Sequence, residues 1–290
     1  MTIRFLKYNE MGDLQHFLKQ NWRSSILDKN DNFFRWTYCR NLDIKHNNID
    51  FVADIDQYSK KILACAGIIQ TKNFVDNYDN RISNTVWITN WKSINGNGIK
   101  GLKLIKYIED NLKYELIGTI GCNTLAKNIY KALGYDTGSM RRLVAINFNR
   151  DSYQILKSNN VFEYKNNIPP RSVFLEDDVH LNNVYSLCDL KELFINIGIS
   201  KSLPSKDYSY YLNRYYFHPI YKYDFLQIKT SNFELALVLR KCFYKGSFAF
   251  RIVDILGELS CFFNVCDIIM KYLFKEDPEY VDIYFLDQEK

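Results

Sequence analysis

The stretch Asn95-Gly96-Asn97-Gly98-Ile99-Lys100-Gly101-Leu102 lies between an apolar run at 84–91 and a helical pattern in which Leu102, Ile105, Ile108 and Leu112 share one face. Glycines between a strand and a helix let backbone N–H groups come close to a ligand. The helix start adds unpaired donors and positive dipole potential, so the guest these residues favour is a pyrophosphate. Gly96-x-Gly98-x-x-Gly101 also matches the dinucleotide fingerprint, which requires a tight strand-to-helix turn and an acid about twenty residues later. Here four residues separate Trp91 from Gly96, and the next strand runs out in Thr119-Ile-Gly-Cys-Asn without an acid. A third reading is a turn whose glycines serve geometry alone.

Working outward, hydrophobic periodicity predicts strands at 2–8, 49–56, 62–71, 84–91, 114–121 and 140–148. Helices are predicted at 12–22 and 31–40, from the glycine turn to about 112, and at 124–133, the last closed by Gly134. All five prolines lie after residue 168, and beyond the polar, Asn-rich stretch 149–172, which is closed by Pro169-Pro170, the pattern resumes. It gives a strand at 172–176, helices at 183–197 and 206–215, strands at 223–229, 233–241 and 248–256, a helix at 261–274 and a strand at 280–285. The second half repeats much of the element order of the first, the expectation for an internal duplication with domains 1–150 and 151–290.

Composition narrows the class. A chain of 290 residues with 47% hydrophobic content can bury a large core, which excludes a disordered or fibrous protein. The net charge of +5 is spread along the chain without the basic run a nucleic-acid tail needs. Seven cysteines form no C-x-x-C pair and their number is odd, so neither a zinc site nor a complete disulfide set is expected, and no metal is assigned. A reduced, cytoplasmic protein follows, with no leader and no membrane span expected.

The order strand, glycine turn, amphipathic helix, strand is followed by Asn123-Thr-Leu-Ala126-Lys-Asn-Ile-Tyr130-Lys-Ala-Leu-Gly134-Tyr135. Together these segments resemble the core of the GNAT superfamily of CoA-dependent acyltransferases, over roughly residues 3–148. The turn departs from the family's Gln/Arg-x-x-Gly-x-Gly/Ala form, having neither Arg nor Gln at the first position. The resemblance implies an α/β fold of two GNAT-like domains, each a central mixed sheet flanked by helices, the second degenerate. It implies acyl-CoA as co-substrate, inserted between parallel strands 84–91 and 114–121 where they splay apart. Thr89, Asn90 and Trp91 would line the pantetheine, and Gly96, Asn97, Gly98, Ile99, Lys100 and Gly101 would meet the phosphates. Asn123 would join them, or serve only as a helix N-cap. Tyr130 matches the position from which family members protonate the departing thiolate, the alternative being a core tyrosine. His218, Asp254 or a water chain could deprotonate the acceptor amine, and no local motif selects among them.

The segments Asp31-Asn-Phe-Phe-Arg-Trp-Thr-Tyr-Cys-Arg40 and Lys206-Asp-Tyr-Ser-Tyr-Tyr-Leu-Asn-Arg-Tyr-Tyr-Phe-His-Pro-Ile-Tyr-Lys-Tyr223 resemble those of bacterial two-domain GNAT proteins of surface-polysaccharide pathways. Those proteins acylate an amino sugar carried on a nucleotide. Aromatic rings stack on a base or sugar while cationic side chains meet a diphosphate, which makes Arg35, Trp36, Tyr211, Arg214, Tyr215, His218 and Arg240 the acceptor candidates. Packing remains an alternative for each. In the second half, strand 248–256 leads into Gly257-Glu-Leu-Ser260, with one glycine and an acid where phosphates would sit, and no counterpart of the Tyr130 helix precedes Lys290. One CoA site per chain is expected, with the second domain as a wall for the acceptor to which Arg251 and Asp254 could contribute. A protein or peptide-amine acetyltransferase, or an inactive GNAT-like binding module, are the competing functions, and a homo-oligomer is compatible with the sequence.

Overall fold

The computed structural model describes residues 2–22, 26–40, 47–75, 84–94, 98–157, 178–198, 204 and 206–287. Contacts divide the chain into two compact units, one of residues 1–126 with 201–220, the other of 127–200 with 221–290.

The first unit is built on a sheet ordered β1 (Thr2–Lys7), β2 (Asn48–Ile55), β3 (Ile62–Gln70), β4 (Thr85–Ser93) and β5 (Leu116–Gly118). Neighbours are antiparallel except for the parallel pair β4 and β5. The central strands β2 and β3 read as near-continuous apolar runs because both faces are covered. On one face α1 (Met11–Asn21) and α3 (Asp31–Tyr38) set Leu14, Phe17, Phe34 and Tyr38 against Leu6, Phe51, Ala53 and Cys65. On the other lies α4 (Gly98–Asn111): of the face expected, Ile105 and Ile108 are buried while Leu102 and Leu112 are half-buried, and Leu104, not part of that face, is buried as well. A short helix α2 (Ile26–Lys29) precedes α3, which starts where the Asn30 side chain accepts from Phe33 N at 2.9 Å.

The second unit holds a sheet ordered β6, β11, β10, β9, β8, β7, formed by β6 (Ser139–Ile146), β7 (His180–Val184), β8 (Asp224–Lys229), β9 (Glu234–Tyr244), β10 (Ser247–Leu256) and β11 (Tyr280–Asp287). Leu235, Leu237, Leu239, Phe250 and Ile252 form its core with Phe262 and Ile269, which come from α8 (Leu259–Asn264) and α9 (Cys266–Phe274). Between β9 and β10 the two turn residues Lys245 and Gly246 have φ of 47° and 78°, the left-handed pair that a tight hairpin demands. The strands β7 to β11 repeat the plan of β1 to β5: three antiparallel pairings, then one parallel. The fold is therefore mixed α/β with two sheets flanked by helices, as expected.

Several expectations shift. Strand 140–148, counted with the first domain, is β6 and pairs with β11 in the second sheet from Ser139↔Asp287 to Ile146↔Tyr280. The division at residue 150 therefore does not coincide with the compact units. A buried carboxylate joins the two strands, Asp282 on β11 accepting from Arg142 Nε of β6 at 2.7 Å. The helix expected at 183–197 begins as β7, and α6 (Leu187–Ile197) starts only after Ser186, whose hydroxyl accepts from Asp189 N at 3.1 Å. The helix expected at 261–274 breaks at Val265, with φ −125° and ψ 13°, into α8 and α9. The strand at 114–121 is only three residues long as β5. The strand expected at 172–176 lies outside the described residues.

Candidate active site

Strand β4 runs beside β5 only from Thr85↔Leu116 to Trp87↔Gly118. Past that point β4 continues to Ser93, hydrogen-bonded to β3 on one side, and among the described residues no strand pairs with its other side. The result is an open strand edge at residues 88–93, next to which the chain enters α4.

A bulge reshapes this edge. Gly67 faces Thr89 and Cys65 faces Lys92, so β4 carries one residue more than β3, and Asn90 takes up the slack at φ 46°. Asn90 donates through Nδ2 to the Tyr38 hydroxyl at 2.7 Å, and the same hydroxyl lies 2.9 Å from Thr89 Oγ1. Burial pushes the Tyr38 phenol up to about 12, so it stays a neutral hydrogen-bonding group. Gly67 is what admits this cluster, because a Cβ there would sit 2.7 Å from Thr89 Oγ1 and 2.8 Å from Phe51 Cζ.

The glycines of the turn divide by role. Trp91 donates from Nε1 to Gly101 O at 3.0 Å, and a Cβ on Gly101 would lie 3.0 Å from that same nitrogen. Gly101 thus lets the indole lock the first turn of α4 onto β4. Gly98 opens the helix, Ile99 is exposed and Lys100 is half-buried. Gly96 and Asn97 lie outside the described residues.

The run from Asn123 to Tyr135 resolves into a capped helix, α5 (Thr124–Ala132). Asn123 Oδ1 accepts from Ala126 N at 2.9 Å, which is an N-cap bond. At the other end Gly134 has φ 86°, Gly134 N donates to Lys131 O at 3.1 Å, and Tyr135 N donates to Tyr130 O at 3.0 Å. These are the two bonds of a Schellman motif, and the ring of Tyr135 folds edge-on against Tyr130 with centroids 5.2 Å apart. Tyr130 is buried in the second unit and its hydroxyl is shielded from solvent. The spacing that points to a CoA-handling element in the sequence is therefore also the spacing of a helix capped at both ends.

Acceptor candidates converge within the first unit, which takes in residues 201–220. Asp207 caps α7 (Tyr208–Tyr211), which passes into a π-helical turn, Leu212–Tyr216. Asn213 Nδ2 donates to Phe74 O at 3.0 Å, fixing this segment to the 3-10 turn Thr71–Phe74 that follows β3. Trp36 packs on Phe33 at 5.8 Å, Phe74 at 5.4 Å and His218 at 4.4 Å between ring centroids. Two guanidinium groups lie over the same rings: Arg214 is 5.1 Å from Trp36 and 5.2 Å from Phe74, and Arg40 is 5.9 Å and 4.9 Å from them. Among the described residues Arg214 forms no ion pair, and no group accepts from the buried Nε1 of Trp36. His218 Nδ1 accepts from Ile220 N at 3.1 Å, so the neutral ring keeps its proton on Nε2 and offers a donor instead of a base.

The remaining candidates separate. Arg35 lies over Tyr8 at 5.2 Å, apart from the Trp36 rings. Tyr211 is fully buried, and the half-buried Tyr215 packs its ring on it at 5.7 Å. Arg240 belongs to the second unit, 4.4 Å over Tyr221. Asp254 caps its neighbour, Ile255 N, at 3.0 Å. Sequence reasoning missed Tyr38, Arg40 and Phe74. Arg40 had a signal, its position four residues after Trp36 in a segment expected as helix to residue 40, although α3 ends at Tyr38; the other two are brought in by long-range contacts.

Asp50 on β2 was also missed. Its carboxylate accepts from Gln70 Nε2 at 3.3 Å and Asn73 Nδ2 at 2.6 Å, and burial pushes it up to about 7. A carboxyl raised above its unfolded value near 3.9 contributes stability that is complete below about pH 4 and gone above about pH 7. Asp50→Asn removes that dependence. Relative to wild type, the variant's unfolding free energy is expected to gain roughly 2–4 kcal/mol between pH 4 and pH 8. Urea titrations at both pH values check this, and a constant difference would show that the carboxyl is not buried as described.

No family model matches the sequence, and no curated protein does. Solved structures do. The chain is similar over 100% of its length to 66% of a conserved protein of unknown function from Enterococcus faecalis V583, a probable N-acyltransferase, with TM-score 0.60 and 11% identity. It is similar over 98% of its length to 66% of a GCN5-related N-acetyltransferase from Anabaena variabilis ATCC 29413, with TM-score 0.54 and 10% identity. Eis1 from Mycobacterium abscessus matches over 97% of this chain and 64% of its own, with TM-score 0.50 and 11% identity. The fold of this chain is that of the GCN5-related N-acetyltransferases, and the chain spans about two thirds of the length of these structures. Among the described residues no helix is long and apolar enough to cross a membrane.

Proposed function

We propose that the chain is a CoA-dependent N-acyltransferase that moves an acyl group from acyl-CoA to the amine of a nucleotide-linked amino sugar in surface-polysaccharide biosynthesis. The observation that carries the reading is the open edge of β4 at residues 88–93 beside the start of α4. Backbone N–H and C=O groups on the side of β4 that no described strand pairs with suit the amides of a pantetheine arm. The first turn of α4 offers a diphosphate its free N–H groups, its dipole and Lys100. Acyl-CoA supplies the activated thioester. Tyr38, Thr89 and Asn90 shape the wall where the open edge begins, and Tyr130 protonates the leaving sulfur.

For the acceptor, Trp36 and Phe74 provide ring surface, while Arg214 and Arg40 provide forked donors for a diphosphate. Like charges over shared rings favour an anionic guest over the cationic chain of a lysine peptide. The test is a screen of nucleotide-linked amino sugars with acetyl-CoA and longer acyl-CoAs, read by thiol release. Turnover on a nucleotide-sugar is expected. Turnover confined to peptide amines would replace this reading with a peptide acetyltransferase.

A further inference from the structure

Along the second sheet, Leu235, Leu237, Leu239, Phe250, Ile252 and Val281 turn toward α8 and α9. Alternate positions face the opposite way, and there arginines gather. Arg251 lies directly across from Arg240 on β9 and, on its other side, from Asp282 on β11. Residues directly opposite one another share a face, so this row sets two guanidinium groups side by side. A third, Arg142 of β6, reaches the same carboxylate.

The one acid of the row is already committed. Buried Asp282 accepts from Arg251 Nε at 2.9 Å and Nη2 at 2.8 Å, and from Arg142 Nε and Nη2 at 2.7 Å each. Among the described residues Nη1 of Arg251 has no acceptor, and Arg240 has no carboxylate. Arg240 lies 4.4 Å over the ring of Tyr221 and beside the Cys242 thiol and Tyr223 hydroxyl, none of which is a carboxylate. The ring of Tyr284 lies 5.0 Å under Arg251 and 5.7 Å under Arg142. The cluster is open to solvent, the side chains of Arg142 and Arg251 being 36% and 32% exposed.

Like charges directly opposite across two strands destabilise a sheet, and Asp282 offsets only part of this excess. We propose that the Arg240 and Arg251 pair is an oxyanion site for a phosphoryl group, floored by Tyr221 and Tyr284. A dianion with several oxygens matches two planar donor forks better than a single carboxylate does. This site is independent of the acyl-transfer reading and of the Arg214 cluster in the first unit.

Isothermal titration of the full chain with inorganic pyrophosphate tests it, in wild type, Arg240→Gln, Arg240→Lys and Arg214→Gln, with acetate as the carboxylate control. The expected result is binding that weakens at least tenfold in Arg240→Gln, weakens less in Arg240→Lys, and persists in Arg214→Gln. Arg240→Glu supplies a second readout. It sets a carboxylate opposite Arg251, so it is expected to abolish the pyrophosphate response and to raise the melting temperature in anion-free buffer. No binding to wild type, equal binding by acetate, or a loss that follows Arg214 while Arg240→Gln binds normally would each overturn the proposal.

Discussion

Tyr130→Phe is expected to lower turnover by roughly 10²-fold while leaving the affinity for CoA unchanged, because it deletes a proton donor and almost no volume. The ring of Tyr130 keeps its edge-on contact with Tyr135 in the variant, and both Schellman bonds are made by backbone atoms, so α5 stays capped. Loss of turnover with an intact melting temperature therefore reports on the hydroxyl. Single-turnover thiol release separates the chemical step from product loss. An unchanged chemical rate would make Tyr130 a packing residue, and the run from Asn123 to Tyr135 would then be explained entirely by its caps.

The second large effect falls on the acceptor. Arg214→Gln is expected to raise the acceptor KM by about 10- to 100-fold, the cost of one or two charge-assisted hydrogen bonds at roughly 1.5–3 kcal/mol. The KM for acyl-CoA should stay within about threefold, since the rings under Arg214 are those of Trp36 and Phe74. Trp36→Phe, which keeps a ring for Arg40 and Arg214 but removes the indole N–H, should shift the acceptor KM less. Equal losses for both substrates in Arg214→Gln would indicate disturbed packing at the end of β3 and not acceptor recognition.

Much of this arrangement was readable from the sequence. Amphipathic spacing gave α4, and alternation gave the strands of both sheets except β7, part of which was expected as helix, because those signals are local. The placement of β6 was not readable. Its partner β11 lies more than a hundred residues away, and contacts such as that of Arg142 with Asp282 form only in the fold. The same holds for Tyr38, whose position becomes meaningful only once the bulge turns Asn90 toward it. Trp36, Arg214 and His218 could be picked out as residue types suited to a nucleotide, and the structure brings them together. Tyr211, Tyr215 and Arg240 had the same chemistry on paper. Tyr211 is buried, Tyr215 is half-buried against it, and Arg240 belongs to the second sheet.

The central claim is that acyl-CoA lies along the open edge of β4 at the start of α4. Amide hydrogen exchange of the full chain with and without acetyl-CoA tests it directly. Slowed exchange confined to residues 88–93 and 98–101 is the expected result, since these are the N–H groups that would pair with the pantetheine arm and the diphosphate. Unchanged exchange there at saturating acetyl-CoA, or protection that appears instead along β10 and α8, would contradict it.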